Sequence, residues 1–105
     1  MQEALKAGIR LFNARQYWEA HEAWEKLWLE AEGDQKKFLS ALILLAAALH
    51  KRWVHGSLTH RNFHKAEHHL NTLPCLYGEI DLCKLKKSVW EALSDSEVTP
   101  EIPLD

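Results

Sequence analysis

The chain has 105 residues and a net charge of −2, with 47% hydrophobic and 27% charged residues. That length fits one domain, and the charge balance excludes nucleic acid as the default partner, since phosphate binding needs a concentrated basic face. The longest apolar run, Ala41 to Leu49, is about half of a membrane span, and the amphipathic start MQEALKAGIR lacks a signal peptide's apolar core. No membrane and a cytoplasmic location are therefore expected.

The first predicted helix covers residues 2 to 13, where Leu5, Ile9 and Phe12 recur at helical spacing and Gly8 allows close approach of a neighbour. Asn13 to Gln16 form a connection, and a second helix runs from Tyr17 to Ala31. Gly33 suits its C-terminal cap and Asp34 the N-cap of the next helix, 35 to 54. FLSALILLAAALHKRW is apolar nearly all round, as in a helix surrounded by others. After His55, Gly56 and Ser57, a fourth helix spans 59 to 73, with Thr59 as candidate cap. Pro74, Gly78 and Asp81 punctuate a loop, and Asp81 caps a fifth helix, 82 to 93. No stretch alternates with period two, so no sheet is predicted. The expectation is an all-α, up-and-down bundle of about five helices in residues 1–94. Residues 95–105, with two prolines, form an extended or frayed tail.

The second helix carries the candidate site. On a wheel at about 100° per residue from Tyr17, one apolar arc holds Leu27, Ala20, Ala31, Trp24, Tyr17 and Trp28, and Trp18 and Leu29 fall near 100° and 120°. His21, near about 40°, and Glu25, near about 80°, sit between these groups, and Glu22 lies at the border. Glu25 so placed is predicted to face the interior, where an ionised carboxylate is costly without a partner. Three partners are open to it: His21; an arginine such as Arg10, Arg15 or Arg52; or a divalent metal ion such as zinc. His50 on the third helix lies among Leu39, Ile43 and Ala46. If it meets His21 and Glu25, the three are candidate metal ligands with an open position. The second histidine of H-E-x-x-H is absent, which excludes the zinc-protease pattern.

The fourth helix carries His60, His64 and His68 at spacing four, with His69 beside them. His64 and His68 point away from the stripe of Phe63, Ala66, Leu70 and Leu73 and read as a polar outer face. Cys75 and Cys83 form no C-x-x-C pair, and two cysteines make no disulfide framework. Reduced thiols in a cytosolic protein are the expectation.

LFNARQYWEAHEAWEKLW, then FLSALILLAAALHK and Gly56, resembles the bacterial and archaeal family catalogued as domain of unknown function 309, over about residues 4 to 93. Its H-E-x-x-E-x-x-W stretch matches His21, Glu22, Glu25 and Trp28. The resemblance implies an all-helical fold. Some members are labelled predicted metal-dependent hydrolases, and members often carry glutamine where this chain has Ser40 and Leu44. The basic position matched by His50 varies between neighbouring residues in the family. The function expected here is a small cytosolic binding or assembly module with a buried His/Glu polar site, self-associating as a homo-oligomer or binding a small molecule of unknown identity. The alternative is a metal-dependent hydrolase with His21, Glu25 and His50 as ligands and Glu22 orienting or activating water.

Overall fold

The computed structural model describes residues 2–104. Met1 and Asp105, which begin the predicted domain and end the predicted tail, lie outside the described residues. Among the described residues, five helices appear in the predicted order: α1 (Glu3–Asn13), α2 (Tyr17–Trp28), α3 (Gly33–Trp53), α4 (Arg61–Leu70) and α5 (Leu82–Ala92). From α1 to α4, each helix packs chiefly on its neighbour in sequence, as short connections require of an up-and-down bundle.

On α1, α4 and α5 the apolar stripes read from the sequence are buried, with Leu73 at the end of the α4 stripe only partly so. Leu5, Ile9 and Phe12 of α1, Phe63, Ala66 and Leu70 of α4, and Leu85 and Val89 of α5 all enter one core. The centre of that core is α3, buried at eight positions from Phe38 to Leu49. Gly8 of α1 is buried against the fully buried Trp24 of α2. The Trp24 indole N–H donates to the carbonyl of Leu5 at 3.3 Å.

Element ends show where local chemistry takes over. α2 stops at Trp28, three residues short of the predicted end. Glu30 and Ala31 continue it only as i to i+3 bonds, to Leu27 and Trp28, and Gly33 then takes φ +59, a left-handed turn that suits glycine. α3 begins at Gly33, and its N-cap residue, Glu32, provides no side-chain cap. Asp34 instead lies in the first turn, 3.9 Å from Lys37. Thr59 pairs with Ser57 and the N-cap of α4 is His60. Asp81 is the predicted cap of α5 and accepts the N–H of Lys84 at 3.0 Å.

The expected absence of a sheet needs correction. A small sheet is present: β1 (Leu76–Tyr77) pairs antiparallel with β2 (Ile80–Asp81). Strands of two residues are too short to print an alternating pattern, and Gly78 at φ +62 opens the turn between them. The tail takes the extended form, one of the two expected, and is held to α1. Asn13 at the end of α1 clasps Ile102 twice, donating to its carbonyl at 2.9 Å and accepting its N–H at 2.8 Å. Ile102 and Pro100 are buried, and Arg15 donates to the Thr99 hydroxyl. No helix among the described residues is long and apolar enough to cross a membrane.

Candidate functional site

α2, α3 and α4 lie side by side and leave a cleft of about 290 Å³ between them. Ser40, Ile43 and Leu44 of α3 line it, together with His21, Glu25 and Trp28 of α2 and His69 of α4. The helical repeat explains the set. Positions 21, 25 and 28 of α2 step by four and then three, and 43 and 44 of α3 lie three and four after 40, so each set shares a face.

Trp28 locks two of these helices together. Its indole N–H donates to Ser40 Oγ at 2.8 Å, and that hydroxyl donates to the Lys36 carbonyl at 2.8 Å. The Lys36 ammonium stands 4.1 Å over the Trp28 ring. The polar tie between α2 and α3 is therefore Trp28 with Ser40. Ser40→Ala is expected to lower the unfolding free energy by about 1–2 kcal/mol, by leaving the indole N–H unpaired. Urea unfolding of Ser40→Ala, Trp28→Phe and the double variant checks this, since the double should cost less than the sum of the singles.

His21 and Glu25 lie one turn apart with Nε2 and Oε2 separated by 3.5 Å, a loose contact. The His21 side chain is 17% exposed and the Glu25 side chain 55%. The predicted inward orientation holds for the imidazole and fails for the carboxylate. The flanking arc explains this: Trp18 and Leu29 are 45% and 70% exposed, so that side of α2 has no covering neighbour. Glu25 thus needs no buried countercharge, and the candidate arginines serve elsewhere. Arg10 stands 3.9 Å from Glu3, Arg15 reaches Thr99, and Arg52 donates to the Leu93 carbonyl at 2.9 Å. Glu22 is exposed and is not part of the cleft lining.

Trp18 organises the imidazoles. It stacks on His21 at 4.7 Å and lies 5.2 Å from His50, which meets His55 edge-on at 5.0 Å. His50 is thus placed beside Trp18 and His55 and is not among the residues lining the cleft with His21 and Glu25. Among the described residues, no three His, Cys, Asp or Glu side chains form a group able to hold a metal ion. The set His21, Glu25 and His50 does not fit a shared ion in this arrangement. His21 Nδ1 is buried without a hydrogen-bond partner. With the proton on Nε2, toward Glu25, Nδ1 is a lone-pair acceptor, and no bond at that atom fixes the ring.

Burial, then the neighbouring His55 and His21, lowers the pKa of His50, with Glu19 opposing. The sign of the pH effect follows. His50 contributes stability that is fully present above the unfolded histidine value, about 6.5, and lost as pH falls through its lower folded value. His50→Gln is therefore expected to flatten unfolding free energy against pH below about pH 6.5, measured by urea titration.

Sequence reasoning passed over His69. It falls about 40° from Leu73 on the α4 wheel, at the edge of the inward stripe, and that position was the available signal. His64 and His68 are exposed as predicted. His64 bonds Glu67 at 3.0 Å. That bond, joined by Lys86 and opposed by burial, holds the Glu67 carboxyl below its ordinary range.

The sequence profile of a family described as Domain of unknown function (DUF309) matches residues 5–62. The chain belongs to this family. Among solved structures, this DUF309 chain is similar to a conserved hypothetical protein from Thermus thermophilus, with 38% sequence identity and a TM-score of 0.77. The likeness covers 86% of this chain and 95% of that one. No curated protein matches. The DUF309 match takes in both α2 and α3, and hence six of the seven residues lining the cleft. Ser40 and Leu44 both lie in it.

Proposed function

We propose that this protein is a small cytoplasmic helical binding module whose ligand site is the cleft between α2, α3 and α4. One observation carries the reading: His21 and Glu25 converge with His69, from a different helix, over an apolar floor of Ile43 and Leu44. Ligand pockets generally have this make-up, a mostly apolar lining with few polar groups that fix orientation. Glu25 supplies an anionic acceptor, and the His21 imidazole beside it supplies a second polar group. The ligand class that fits is a compact amphipathic molecule with a cationic or donor head near Glu25 and an apolar body on Ile43, Leu44 and Trp28.

Benzylamine and benzoate are suitable probes, followed by proton and nitrogen NMR of the Trp28 indole and the His21 ring. Benzylamine should shift both resonances saturably and benzoate should not. Leu44→Trp, which fills the cleft, should abolish the response. Absence of saturable shifts with benzylamine, or shifts untouched by Leu44→Trp, would overturn the reading.

Self-association is the second part of the proposal. Its support is three exposed indoles, Trp18 at 45%, Trp53 at 39% and Trp90 at 44%, since exposed tryptophans are enriched at interfaces. Sedimentation velocity at micromolar concentration tests it, and a strict monomer counts against it.

A further inference from the structure

Cys75, in the loop after α4, and Cys83, in the first turn of α5, are joined in a disulfide with their Cα atoms 5.0 Å apart. This corrects the expectation of two reduced thiols. Both residues are exposed. Their spacing of eight reveals nothing by itself, because the β1–β2 hairpin is what folds the two positions together.

We propose that Cys75–Cys83 is a thiol–disulfide exchange site for low-molecular-weight thiols, and that opening it releases the β1–β2 hairpin from the bundle. An incoming thiolate attacks Cys75 Sγ. The bond between the two cysteines breaks, a mixed disulfide forms on Cys75, and Cys83 leaves as a thiolate that takes up a proton. A second thiol attacks the sulfur of the first at the mixed disulfide and releases Cys75 as a thiol. Two small thiols have then been oxidised to one disulfide, and the protein disulfide has taken up two electrons and two protons.

The direction of attack follows from the positions of the two sulfurs. The sulfur better stabilised as a thiolate is the better leaving group. Cys83 lies at the positive end of an eleven-residue helix, next to Lys84, an environment that favours a thiolate. The Asp81 carboxylate, which caps the same helix end by accepting the Lys84 N–H, opposes this effect in part. Cys75 lies in a loop beside Pro74 and has no such support.

The consequence of opening follows from what else holds the hairpin. Strands of two residues are marginal without other contacts. The Leu82 N–H donates to the Cys75 carbonyl at 2.6 Å. Tyr77 stacks on Phe38 at 4.6 Å and donates to Gln35 Oε1 at 3.2 Å, and Ile80 is buried. Residues Tyr77 to Ile80 also wall a cavity of about 470 Å³ against Leu5, Gln35 and Phe38. Once the disulfide is open, that wall is held by non-covalent contacts such as these.

The test uses the oxidised full chain in native buffer. Reduced glutathione is added first, with trapping by alkylation and peptide mass spectrometry, then dithiothreitol, with thiol titration and amide hydrogen exchange. Glutathione should be found on Cys75 in several-fold excess over Cys83, and dithiothreitol should yield two thiols without denaturant. Amides of residues 76 to 82 should then exchange at least about tenfold faster, with those of α2 and α3 unchanged. A Cys75→Ser/Cys83→Ser double variant should show the faster exchange with no thiol added. Thiols appearing only in denaturant, glutathione equal on both cysteines or favouring Cys83, or wild-type hairpin protection in the double variant would each overturn the proposal.

Discussion

Gly8→Ala is expected to lower the unfolding free energy by about 3 kcal/mol, the upper end of the usual cost of overpacking a core. The new Cβ would lie 2.7 Å from Trp24 Cε2 and closer still to Nε1 and Cδ1. The indole has little room to yield, being fully buried, tied to the Leu5 carbonyl and packed near Phe12 at 5.9 Å. Removing the ring instead, with Trp24→Ala, should cost about 3–5 kcal/mol through the cavity left behind. The combination is diagnostic. In Gly8→Ala/Trp24→Leu the smaller side chain makes room for the methyl, so the double variant should lose less than the two single losses added together. Urea unfolding followed by circular dichroism measures all of these, and strict additivity would refute the close contact.

Reduction of Cys75–Cys83 should lower stability by about 2.5 kcal/mol, on the chain-entropy account of a loop of roughly nine residues. The mechanism differs from that of Gly8. Packing outside the released hairpin is kept, and the unfolded chain gains freedom that the cross-link denied it. For a domain of this size the midpoint should fall by roughly 10 °C or more. Calorimetry with and without dithiothreitol checks this. Cys75→Ser should show the lowered midpoint in both conditions, whereas the native chain should show it only when reduced.

The sequence was most legible where helices bury one stripe. Leu5, Ile9 and Phe12, or Phe63, Ala66 and Leu70, repeat every three or four residues because one side of the helix meets the core. The close approach at Gly8 and the cap at Asp81 were readable for local reasons, a missing side chain and a short carboxylate. α2 was harder because it carries more apolar surface than its neighbours cover. A wheel gives angles, not coverage, so Trp18 and Leu29 read as interior and drew Glu25 in with them. His50 had a correct angular setting, yet which residues it meets depends on Trp18, from another helix. The Cys75–Cys83 link and the Asn13 clasp join distant or loop positions through single side chains, which leave no periodic trace.

That clasp bears on the order in which the molecule assembles. Contacts among α1 to α4 run between successive elements and need only short loops to close, the pattern associated with rapid folding. Asn13 and Ile102 stand 89 positions apart, so their meeting closes a far larger loop at a greater entropic cost. The helical body should therefore collapse first and the tail should dock afterwards. Asn13→Ala would then leave the refolding rate nearly untouched and accelerate unfolding, as a contact formed after the transition state requires.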